Sequence, residues 1–127
     1  MTTEHVIDLP ATAAAGLARR ELSTVPGIAG EVGYKVLLMT SELIAVYVDE
    51  GEPNPLATLR LAVSAGPDRV RVEVAGRAPD VAPGTRLHAT DTPSLGGYGL
   101  RIVERMADAW GVEGVGDTTT WFELECR

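Results

Sequence analysis

The chain has 127 residues, 45% of them hydrophobic and 23% charged, with eleven Lys and Arg against eighteen Asp and Glu. That length and mixture describe one folded domain with a real core and exclude a disordered chain. The formal net charge of -7 disfavours nonspecific binding to nucleic acid or anionic lipid, and disfavours an acidic partner surface unless the basic residues cluster on one face.

Cys126 is the only cysteine, so neither a disulfide framework nor a multi-cysteine metal site is expected. Met1 to Pro10 lacks the basic start and apolar core of a signal peptide. Charges interrupt every apolar stretch before the ~18 residues of a membrane span. The expectation is a reduced, cytoplasmic protein without direct DNA or membrane contact.

In chain order, His5 to Leu9 alternates apolar and polar residues before Pro10 and predicts a first strand. Thr12 to Thr24 is rich in helix formers, with Leu17, Leu22 and Val25 as its expected buried residues, and Pro26-Gly27 stops it. Ile28 to Asp49 is the longest periodic segment. Val32, Val36, Leu37, Met39, Leu43, Ile44 and Tyr47 recur there at helical spacing.

Ala57 to Ser64 and Arg69 to Ala75 read as an antiparallel hairpin turned by Gly66-Pro67-Asp68, with Leu59, Leu61, Val63, Val70, Val72 and Val74 on one face. Gly76 to Gly97 is rich in Pro and Gly, has no period, and is expected to be a functional or mobile loop. Gly99 to Trp110 then predicts a helix and Thr118 to Glu125 a last strand. Trp110 and Trp121 lie in apolar periodic segments, as core aromatics do. Helices grouped on one face of a mixed, mostly antiparallel sheet make an α/β (α+β) two-layer sandwich.

Three segments taken in order carry a resemblance. They are Ser41-Glu42-Leu43-Ile44-Ala45-Val46-Tyr47-Val48-Asp49-Glu50-Gly51, the strand end Val72-Glu73-Val74-Ala75-Gly76, and Gly96-Gly97-Tyr98-Gly99-Leu100-Arg101-Ile102-Val103. The last runs on through Ala107-Asp108-Ala109-Trp110-Gly111-Val112 to Thr118-Thr119-Thr120-Trp121-Phe122-Glu123-Leu124. Together they resemble GHKL ATPases of the Bergerat fold, and within these the anti-sigma-factor serine kinases. The resemblance covers nearly the whole chain, as a single domain over residues 1–127.

Glycines before a helix start let backbone N–H groups approach phosphate oxygens, and the helix dipole favours negative charge there. The resemblance accordingly implies phosphate contact at Gly97, Gly99 and Leu100. It makes Glu42 the carboxylate that would polarise the attacking hydroxyl, and it turns Thr120 toward the nucleotide pocket.

Two anchors are missing. Val46 stands where the resemblance implies a magnesium-ligating asparagine, and valine offers no oxygen. Gly76 stands where it implies an aspartate on the adenine amino group. Asp49 and Glu50 add negative charge where active members carry a basic or histidine residue. Among the remaining candidates, His5 and His88 read as ordinary surface histidines, and Asp80 is a weak substitute for the missing aspartate.

The favoured expectation is an atypical anti-sigma-factor-like protein with a vestigial site and no kinase activity. It would bind a sigma factor or a STAS-domain anti-sigma antagonist and carry no metal or cofactor. The alternatives are an active ATP- and magnesium-dependent serine kinase acting on such an antagonist, and a decoy subunit pairing with a related kinase. A homodimer or heterodimer through the helix at 12–24 is also open.

Overall fold

The computed structural model describes residues 3–47, 58–77, 99–115 and 117–125. Eight elements follow in order: strand β1 (Thr3–Pro10), helices α1 (Ala14–Leu22) and α2 (Gly30–Tyr47), strands β2 (Thr58–Ala65) and β3 (Arg69–Arg77), helix α3 (Gly99–Met106), and strands β4 (Ala109–Val115) and β5 (Asp117–Glu125). The strands form one sheet in the order β1-β2-β3-β5-β4, with every neighbouring pair antiparallel. The protein is therefore mixed α/β, with an open five-stranded sheet. From residue 78 on, the expected loop lies outside the described residues.

One face of the sheet makes the core. Leu59, Leu61 and Val63 of β2, Val70, Val72 and Val74 of β3, and Phe122 and Leu124 of β5 are all buried. Successive strand side chains point to opposite faces, so the expected alternation put these residues together. Against them lie Ala14, Ala18 and Leu22 of α1, Val36, Met39, Leu43, Ile44 and Tyr47 of α2, and Val103 of α3. Burying each large side chain of this set is worth roughly 1.5–3 kcal/mol.

The first helix differs in detail from the expectation. A single 3-10 turn, Ala11–Ala13, precedes α1. The buried line is then Ala14, Ala18 and Leu22, at i, i+4 and i+8, whereas Leu17 is only half-buried. Small residues at 14 and 18 let the helix backbone come close to the core. Ser23 Oγ donates to the Arg19 carbonyl at 2.8 Å and Thr24 Oγ1 to that of Glu21 at 2.7 Å, beside the backbone N–H of the same residue at 3.2 and 3.0 Å, so both carbonyls of the helix end accept twice.

The expected helix over 99–110 is cut short, and a fifth strand takes its end. The α3 helix stops at Met106, and Asp108 hooks the chain to β5. Its N–H donates to the Glu123 carbonyl at 2.9 Å, and its Oδ2 accepts from the Glu125 N–H at 2.6 Å. β4 then pairs with β5, placing Trp110 opposite Phe122 and Val112 opposite Thr120 on the core side. Trp110 packs against the core as expected.

Trp121 does not. It alternates with Phe122 and so lies on the other face, where its indole covers Gly111. A Cβ on Gly111 would stand 3.1 Å from Trp121 Nε1. The Arg71 guanidinium stacks on the indole, 4.2 Å from the ring centroid, and is itself held by Glu73 and Glu123 at 3.0 and 2.8 Å. Burial acts against the Arg71 charge, and its hydrogen bonds to the two carboxylates outweigh that and raise its pKa further.

Thr40 is an exception inside the core. It is 1% exposed, and its Oγ1 has no hydrogen-bond partner among the described residues. A buried unpaired hydroxyl is costly, so the Thr40→Val variant should be more stable by about 1 kcal/mol. Urea unfolding checks this: the midpoint should rise with the slope unchanged.

Candidate functional site

Tyr47 is the last described residue of the long helix α2 and belongs to its buried stripe. A buried tyrosine has an apolar body that suits the core and a hydroxyl that needs a partner. Here the hydroxyl lies 2.7 Å from Thr120 Oγ1 and 2.9 Å from Thr118 Oγ1, and donates to the Thr118 carbonyl at 3.2 Å. With the phenolic hydrogen on that carbonyl, both threonine hydroxyls can donate to the phenol oxygen, and all three groups are satisfied. Tyr47, Thr118 and Thr120 are all buried. Burial pushes the Tyr47 pKa above its ordinary value of 10, and the hydrogen bonds from Thr118 and Thr120 offset only part of that rise.

The ring of Tyr47 passes over Gly76. Gly76 sits opposite Thr118 in the pairing of β3 with β5, so one spot of the sheet carries both. A Cβ built on Gly76 would stand 2.5 Å from Leu59 Cδ2 and 3.2 Å from Tyr47 Cδ1. Leu59 is itself buried and has little room to retreat. Glycine is needed at 76 for this close approach.

Four of the positions singled out in the sequence meet or adjoin here. Thr120 points inward and holds Tyr47, Gly76 lies beneath the ring, and Val46 precedes Tyr47 on α2. Glu42 is one and a half turns earlier on α2, half-buried and with an interaction partner. Gly99 and Leu100 are the first described residues of α3, which packs on α2. Gly97, and with it most of the glycine loop, lies outside the described residues, as do Asp80 and His88. His5 is tied to Glu21 of α1 at 3.4 Å.

The residues present do not supply the groups that the resemblance implies for a magnesium nucleotide. Gly76 has no carboxylate, a Cβ there would meet Leu59 Cδ2 and Tyr47 Cδ1, and Val46 has no oxygen ligand. Among the described residues, no three His, Cys, Asp or Glu side chains are placed to hold a metal ion, and no helix is long and apolar enough to cross a membrane.

Tyr47 is the residue whose part sequence reasoning missed. Its helical spacing marked it only as core. The available signal was the buried hydroxyl, which had to find acceptors or donors on a neighbouring strand, and Thr118 and Thr120 were the inward threonines of the last one. Neither models of known protein families nor curated proteins give a match to this chain.

Removing the phenolic oxygen should expose what it holds. Tyr47→Phe leaves two buried threonine hydroxyls and a carbonyl short of a partner, at a cost of about 1–3 kcal/mol. The pH dependence has a definite sign. The folded pKa lies above the unfolded one, so the unfolded state loses its proton first, and this contribution falls away as pH rises from about 10. Denaturant titrations across that range should show the wild type losing stability faster than Tyr47→Phe.

Proposed function

We propose that this protein is a regulatory binding module of the anti-sigma-factor kinase type, in which the nucleotide site of a Bergerat domain has fallen out of use. Its partner would be a sigma factor or a STAS-domain anti-sigma antagonist, met in the cytoplasm. The antiparallel sheet, with its helices gathered on one face, supports the Bergerat reading. So does the position of α3 against α2.

The observation that carries the proposal is the Tyr47 ring over Gly76, gripped by Thr118 and Thr120. In the resemblance, residue 76 would hold the adenine and Thr120 would face it. In this chain a tyrosine uses that same space and that same hydroxyl. Phosphoryl transfer depends on positioning and on metal-assisted charge stabilisation, and with Val46 in place of a ligand both supports are weakened. Binding a protein partner needs neither.

A second reading, an active serine kinase, is favoured by one feature. Glu42 stands on α2, against which α3 packs. A carboxylate beside the nucleophile is one of the parts such a reaction uses.

The two readings separate on Glu42. With a co-purified partner, Glu42→Ala should leave binding unchanged, and no labelled phosphate should pass from ATP to the partner in wild type or variant. Phosphate transfer by the wild type that Glu42→Ala abolishes, with folding intact, would place the kinase reading first.

A further inference from the structure

We propose that the Tyr47 side chain is an internal ligand, filling and keeping closed a slot between Gly76, Leu59, Thr118 and Thr120 that accepts a small planar phenol-like molecule once the tyrosine ring is removed. The chemistry stands on the slot itself. Its meaning as the closure of a nucleotide site rests on the function proposed above.

The slot has a definite shape. Its floor is Gly76, whose missing Cβ lets a flat ring lie against backbone, and one wall is the Leu59 terminal methyl. Its far end is polar, with two hydroxyls and a carbonyl converging within 3.2 Å of the phenol oxygen. An apolar, flat body with a hydrogen-bonding tip selects a ring carrying a hydroxyl or amino group at its far end.

The walls should survive removal of the ring. β2, β3 and β5 are the interior strands of the sheet, each hydrogen-bonded on both sides. Walls fixed in this way relax only partly around a truncated side chain, and cavities cut into such cores take up small aromatic molecules. The plug belongs to α2 and not to the strands that line the slot.

The test is Tyr47→Ala with p-cresol, which is the tyrosine side chain as a free molecule. Thermal unfolding should show p-cresol stabilising Tyr47→Ala, with affinity of about 1 mM, and leaving the wild type and Tyr47→Phe unchanged. Toluene, lacking the hydroxyl, should bind about tenfold more weakly, and adding Thr120→Val should erase that preference. Should Tyr47→Ala be unfolded alone, the same additions are read as recovery of the far-UV circular dichroism. Tyr47→Leu, which leaves the polar tip empty, is run alongside.

A response of the alanine variant to p-cresol, absent in the wild type and in Tyr47→Leu, whose side chain refills the ring space, supports the proposal. No response in the alanine variant, equal response to toluene, or equal response in the wild type or in Tyr47→Leu overturns it. Adenosine is the separate probe for the function. Binding of p-cresol without adenosine leaves the slot standing and removes support from the nucleotide-site reading.

Discussion

A phenol removed from water must have its hydroxyl satisfied, and at Tyr47 that requirement ties the end of the longest helix to the inward threonines of β5. The rest of the site follows from it. The ring passes over Gly76 of β3 where its hydroxyl reaches Thr118 and Thr120, and glycine there leaves it room. Leu59 closes the remaining side. Helix and three strands are thus fixed at one point by five residues that depend on one another, and replacing any of them changes the fit of the others.

On the proposed reading, that arrangement joins the two departures from the ATP-binding pattern that the resemblance implies. Gly76 without a tyrosine above it would leave a hole in the core, and an aspartate at 76 beneath the tyrosine would collide with Leu59 and Tyr47. On that reading, glycine at 76 and the ring above it are two parts of one arrangement. Val46, the preceding residue on α2, has no oxygen for the metal that the resemblance implies. A nucleotide site lost in this way would leave the frame of the domain, whose stability comes from the sheet and helix faces, and the protein would act through its surface.

Much of the architecture was legible in the sequence because it is written in periodicity. The 2-residue alternation of Leu59 to Val63 and Val70 to Val74 buries the residues it marks, and the helical recurrence buries Val36, Met39, Leu43, Ile44 and Tyr47 while Val32 and Leu37 stay half-buried. The fourth strand, β4, was hidden because Gly111 and Gly114 break its pattern, and because α3 gives way to it within two residues through contacts of Asp108 that local sequence does not announce. Trp121 was misplaced for a related reason. Its face is set by the register of β5, where Arg71 and Gly111 supply a stacked seat outside the core. In the site, Gly76 and Thr120 were singled out from alignment to a pattern, but their meeting through Tyr47 is a long-range contact that no spacing encodes.

The central claim is that Tyr47 holds the place a nucleotide base would need, and titration calorimetry with ATP and ADP, with and without Mg²⁺, tests it most directly. The account predicts no heat of binding at millimolar nucleotide in either condition. Micromolar, magnesium-dependent binding to the wild-type protein would contradict it, because the ring would then have to leave Gly76 and other side chains would have to take over the work of the two missing anchors.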